Sequence, residues 1–145
     1  MRALESSITF LRVRGIPIGA HWSWLLVFAL VVWSLGTALF PATYPGLTGG
    51  TYLVMALVAA ALLFLSVVLH ELGHAFRALS EGIRLEGITL WLFGGVARMA
   101  ASPPSAAAEF RVAAAGPAVS LALAALFGVL ALAGDQLGVT GAVQG

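Results

Sequence analysis

The chain has 145 residues, 61% of them hydrophobic and only 9% charged, with a net charge of +1. So little charge excludes a soluble globular domain, and the near-neutral balance excludes a nucleic-acid binder. Cysteine is absent, which removes disulfides and thiolate metal sites and leaves any metal to His and carboxylates.

Arg2, Arg12 and Arg14 precede the first apolar run, and from Gly15 to His70 there is no Asp, Glu, Lys or Arg. Within that stretch lies a first span at about residues 20–40, closed by Pro41 and a Pro/Gly/Thr-rich connection through Gly50. A second span runs over about 51–79, because nothing from Thr51 to Leu79 breaks a helix. Each is long enough to cross roughly 30 Å of hydrocarbon at about 1.5 Å per residue. Glu81-Gly82 reads as a turn. Residues 83–99 then alternate apolar and polar over much of their length and read as two short strands joined near Gly94 and Gly95. Ser102-Pro103-Pro104-Ser105 interrupts the chain, and Ser105 is placed to cap a third span over about 107–133, which ends at Gly134 and Asp135. The expected fold is an all-α polytopic membrane protein of three transmembrane helices, with a short β-hairpin between the second and third. At membrane depth the hairpin must have its backbone groups satisfied, so it should lie against the bundle.

All seven basic residues are Arg. Three precede the first span, and Arg77, Arg84, Arg98 and Arg111 lie in or beside the connection between the second and third. The positive-inside rule therefore puts the N-terminus and the strand-bearing loop in the cytoplasm. A cleaved signal peptide fits poorly, since the apolar run is long and no small-residue cleavage site follows it.

The second span carries His70-Glu71-Leu72-Gly73-His74 at the end of its long uncharged run. Residues four apart share a helix face, so the two imidazoles can meet one metal, and Glu71, about 100° round the helix, can act as general base on polarised water. Three ionisable groups in a membrane helix are costly unless paired or metal-bound, which argues against a mere packing role. Zinc suits neutral imidazoles and an open coordination position. Gly73, between the ligands, allows a neighbouring helix or a substrate strand to come close.

This motif on a second span resembles the site-2 protease family of intramembrane zinc metalloproteases. Gly15-Ile16-Pro17-Ile18 with His21-Trp22-Ser23, then Phe93-Gly94-Gly95-Val96-Ala97, then Ala115-Gly116-Pro117 follow in matching order. The likeness covers nearly the whole chain and is nearest the branch whose members often carry CBS domains after the membrane core. It implies a zinc-dependent endopeptidase that cleaves an unwound transmembrane substrate in the bilayer, with His70 and His74 as ligands and Glu71 as base. It also implies a third ligand from an Asp-Gly motif on a further span. Asp135 is the only Asp here and precedes Gln136, at the end of the third span away from His70. Residues 1–145 are therefore read as the N-terminal portion of a membrane-embedded metalloprotease core, with any C-terminal regulatory domain outside it. The alternative is an inactive pseudoprotease or a metal-binding membrane subunit.

Other residues carry competing readings. His21 is an interfacial anchor beside Trp22 and Trp24, a gate residue or a surrogate ligand. Glu109 is a favourable charge in a first helical turn or a ligand. Gly94 and Gly95 make a turn, or admit a substrate backbone to a strand edge by β-augmentation. Gly116-Pro117 is a kink or packing notch. Many relatives carry Asn three residues after that Pro, as a candidate oxyanion donor; here the position is Ser120.

Overall fold

The computed structural model describes residues 7–13, 15–91, 94–99 and 102–136. Arg2, Arg14, Leu92 and Phe93, which enter the expectations above, lie outside them. Among the described residues the order is β1 (Ser7–Val13), β2 (Ile16–His21), α1 (Ser23–Thr43), α2 (Gly49–Ser80), β3 (Leu85–Trp91), β4 (Gly94–Met99) and α3 (Ala106–Gln136).

The three helices are long and apolar enough to cross a membrane. Their outward side chains, such as Leu25, Leu30, Leu53, Val58, Leu121 and Leu132, are exposed, as lipid-facing residues should be. Hydroxyls inside the spans find carbonyls one turn back: Thr37 donates to Trp33 O and Ser66 to Leu62 O, each at 2.8 Å. Helix α1 contains a π-helical turn at Leu35–Leu39, where Gly36 faces Ala56 of α2. At about 1.5 Å per residue, His70 lies about 32 Å along α2 from Gly49, at the far end of the span.

Both ends of α2 follow from local chemistry. Thr48 caps its start, accepting from Thr51 N. Its end is a Schellman stop: Gly82, at φ +78°, donates to Leu79 O, and Ile83 N donates to Ala78 O. The accompanying apolar contact packs Ile83 and Ala78 against Val112 of α3, so the stop also sets where α3 docks. Ser105 accepts from Ala108 N at the start of α3, the cap expected from sequence.

The expected hairpin is present as β3 and β4, antiparallel, with Leu90 opposite Gly95 and Trp91 opposite Gly94. It belongs to a larger sheet. Residues read from sequence as a flank to the first span form a second hairpin, β1–β2, turning at Gly15 (φ +85°). Strand β2 then runs parallel to β3, Ile18 opposite Ile88, giving the order β1-β2-β3-β4. One face of this sheet is the core: Ile16, Ile18 and Ile88 bury against Ala75 of α2, with Leu72 and Leu85 at its margin. The sheet is thus held to the same stretch of α2 that carries the His-Glu-His motif.

On the side where α2 ends, Glu81 joins two helices. Arg111 of α3 donates to it through both Nε and Nη2 at 2.8 Å, and Arg77 Nη2 lies 2.7 Å from Oε1. The hydrogen bonds from Arg111, then its charge and that of Arg77, outweigh partial desolvation and lower the Glu81 carboxyl from 4.5 to about 2. A depressed carboxylate contributes stability that is full above its unfolded value and lost as pH falls toward the folded one. Melting of the detergent-solubilised chain is therefore expected to be flat in this contribution above about pH 5 and to fall between about pH 4.5 and 2. Glu81→Gln should remove that part of the acid dependence; an unchanged acid profile in the variant would mean the clamp contributes nothing.

Candidate active site

Three elements converge on the motif. His70, Glu71 and His74 lie on α2; α3 packs along one side of them and β4 along another. The close approach of α3 depends on Gly73: a Cβ there would come within 2.9 Å of both Ala115 O and Val119 Cγ2. Of the two neighbours expected for Gly73, it is the helix that fills the space. Gly116 is the matching notch on α3, because a Cβ at that position would overlap the His74 ring.

The imidazoles are oriented from α3. His74 Nδ1 lies 2.8 Å from Val112 O, and a carbonyl only accepts, so His74 carries its proton on Nδ1 and leaves Nε2 with a lone pair. His70 Nδ1 lies 2.8 Å from Ser120 Oγ. Both Nε2 atoms turn toward each other, 3.0 Å apart. Two nitrogens at the usual distance from a tetrahedral zinc stand about 3.3 Å apart, so a small side-chain adjustment lets this pair share one ion. Fixing the far ring nitrogen on a carbonyl or hydroxyl is also the usual outer-shell arrangement of metal-binding histidines. The donor set therefore fits zinc. Among the described residues, no group of three or more His, Cys, Asp and Glu side chains is arranged to hold a metal.

Glu71 is oriented from the other side. The backbone N–H of Gly95 donates to its carboxyl, and a Cβ on Gly95 would overlap the Glu71 side chain. The glycine is thus required by the glutamate, whatever else passes along the strand. Gly94 precedes it in β4, opposite Trp91. Strand β4 ends the sheet order, and among the described residues nothing pairs with its outer edge.

The remaining candidates stand apart. His21 is buried at the end of β2, where Nδ1 lies 2.8 Å from Ser23 Oγ and its ring packs near Trp22 and Trp91. Glu109 is exposed in the first turn of α3, and Asp135 is exposed near that helix's other end. Sequence reasoning missed two contributors. Val112 acts through its carbonyl, which no side-chain pattern reveals, and Ser120 was noticed only for an amide it lacks. The signal that was available is Gly116, whose smallness marks where a ring must fit.

The fold and site define a polytopic membrane protein with a metallopeptidase motif held between two helices and a strand. Residues 58–143, more than half of the chain, match peptidase family M50, and the chain belongs to that family. It is 41% identical over 129 residues to Rip3 of Mycobacterium tuberculosis, a protein named as a zinc metalloprotease, covering 89% of this chain and 33% of Rip3. It is 46% identical over 123 residues to sll0528 of Synechocystis sp., likewise named, covering 85% of this chain and 31% of that protein. The solved site-2 protease from Methanocaldococcus jannaschii is similar in structure, with a TM-score of 0.59 and 34% identity over 90% of this chain and 52% of that one. The chain spans about a third of the length of the curated relatives it matches.

Proposed function

We propose that this chain carries the histidine pair and general base of a zinc-dependent intramembrane endopeptidase that cleaves transmembrane segments of other proteins. The observation that carries the reading is the facing Nε2 pair, 3.0 Å apart, with the opposite ring nitrogens held by oxygens of α3. His70 and His74 would hold the ion through Nε2. When bound, zinc supplies a Lewis acid that polarises water and the scissile carbonyl. The rest of the chemistry falls to protein groups. Glu71, held by the Gly95 N–H, takes a proton from the attacking water on its carboxylate and passes it to the leaving amide nitrogen.

The substrate we propose is an unwound segment of a transmembrane protein, lying extended along the outer edge of β4 at Gly94 and Gly95. An edge strand offers main-chain donors and acceptors, which hold a peptide in register without reading its side chains. The distribution of arginines supports an N-terminus and sheet on the cytoplasmic side, with the site near that face of the bilayer.

The test combines zinc content and cleavage. The detergent-purified chain is expected to retain about one zinc, lost in the His70→Ala/His74→Ala double variant. In the full-length protease, Glu71→Gln should keep zinc and lower cleavage by at least about 10²-fold, the scale of general-base catalysis. Zinc retained with no cleavage in the parent protein would favour a metal-binding subunit instead. Cleavage unaffected by Glu71→Gln would remove the proposed base.

A further inference from the structure

A second cavity lies at the start of α1 and is lined by none of the motif's residues. It holds about 290 Å³ between β1, the end of β2 and the first turn of α1, and Ile8, Ala20, His21, Trp22, Trp24 and Leu25 line it. Ile8 and Ala20 stand opposite one another on the β1–β2 ladder and form one wall. Ile8, Trp22 and Leu25 are exposed, so the cavity faces the surroundings at the end of a span. That is the depth at which interfacial tryptophans meet lipid headgroups.

Its polar groups are donors. The Ser23 backbone N–H donates to His21 Nδ1 at 3.3 Å, and the Ser23 hydroxyl lies 2.8 Å from the same atom. That nitrogen therefore carries a lone pair, and in the neutral ring the proton sits on Nε2. His21 is only 9% exposed, and its Nε2 has no acceptor among the described residues. Trp24 packs on Phe28 and on Phe64 of α2, and its indole N–H is buried, also without an acceptor among the described residues. A donor shut away from water is costly until an oxygen reaches it. With the imidazole neutral, none of the six lining side chains is charged, so the cavity calls for a neutral acceptor rather than an anion.

At the bilayer interface the neutral acceptors in supply are the ester carbonyls of glycerolipids. The cavity has the volume of about ten waters at about 30 Å³ each, room for a glycerol and two ester groups though not for a whole lipid. We propose that it seats the glycerol diester of a membrane phospholipid, with His21 Nε2–H and Trp24 Nε1–H donating to the carbonyl oxygens. The indole turns toward the cavity as its oxygen seats, exchanging an orphaned donor for a bonded one. The acyl chains lie along Leu25 and the outer face of α1, and the lipid ties the β1–β2 hairpin to that helix. This site is independent of the metal-ligand reading.

The probes are dioleoyl phosphatidylethanolamine and its diether analogue, which keeps headgroup and chains but lacks the carbonyls. Native mass spectrometry of the delipidated, detergent-purified chain should show one diester lipid bound. The diether should bind at least about 10-fold more weakly, the scale of two lost neutral hydrogen bonds. Trp24→Phe keeps the ring contacts and removes the N–H. His21→Asn keeps an acceptor for the Ser23 N–H and withdraws the Nε2 donor. Each should raise the dissociation constant for the diester by about 3- to 10-fold, and the double variant should no longer distinguish diester from diether. A merely structural role would weaken both lipids alike and keep the distinction. Dioleoyl phosphatidylglycerol should bind as well as the phosphatidylethanolamine. A preference for that anionic headgroup, indifferent to the carbonyls, would assign binding to phosphate and overturn the proposal. Equal binding of diester and diether by the parent chain, or no lipid bound at all, would overturn it too.

Discussion

Gly116→Ala is expected to strip the chain of zinc. The added methyl would occupy the space of the His74 ring, overlapping Nε2 and both adjacent carbons. Neither helix can yield easily. At Gly73 the helices already approach so closely that a Cβ would lie 2.9 Å from Ala115 O, and Val112, one turn before Gly116, is buried against Ala78 and Ile83. The ring must therefore leave its seat and give up the 2.8 Å hydrogen bond to Val112 O that sets its tautomer. Overpacking of this kind costs about 1–3 kcal/mol in stability. Loss of one of the two proposed histidine ligands should weaken zinc binding by more than the 10- to 100-fold typical of an outer-shell change. Metal analysis of the purified variant beside a melting curve checks both; full zinc occupancy would show that His74 does not depend on the notch.

Gly95→Ala should give the complementary phenotype, a protein that keeps zinc and fails to cut. Its methyl would collide with Cγ and Cδ of Glu71, and no histidine atom is among the contacts closest to that Cβ. The carboxylate would move away from the Gly95 N–H that holds it. Displacing a catalytic group by about 1 Å costs about 10²-fold in rate, and losing the base altogether up to about 10⁴-fold. Assays of the proposed cleavage, with zinc content measured on the same preparation, separate this from Gly116→Ala. Zinc lost along with activity would mean that Gly95 acts by holding the fold together rather than by seating the base.

These two glycines show how the sequence reading and the structure divide the work. The Gly94-Gly95 pair stood out in the sequence, and a turn or a peptide-binding edge both explained it. What sequence could not show is that Glu71 fills the side-chain position of Gly95, because β4 meets α2 only through tertiary packing. Gly116 was legible as a packing notch, but its occupant, the His74 ring, was not. The hairpin β1–β2 was missed for a related reason. Ile16-Pro17-Ile18-Gly19-Ala20 is short and carries a proline, and besides its neighbour β1 it pairs with β3, which is distant in sequence and reaches it only through tertiary packing. The π-helical turn in α1 also had no local signature; it occurs where Gly36 meets Ala56.

Sequence alone determined the membrane class, the three spans, the cap at Ser105, the turn at Gly82 and the placing of His70, Glu71 and His74 together on the second helix. Each follows from local chemistry: uncharged runs longer than a bilayer, a hydroxyl before a helix, a glycine at positive φ, and ring spacing on one helical face. Tertiary structure decided what orients those side chains. Ser120 and Val112 meet the rings, and Gly95 meets the carboxyl, because a Schellman stop and an apolar cluster dock α3 and the sheet against one stretch of α2. The i, i+4 spacing fixes which side chains share a face. The tautomer of each ring and the aim of the carboxylate depend on partners supplied by other elements, and those partners are set by packing.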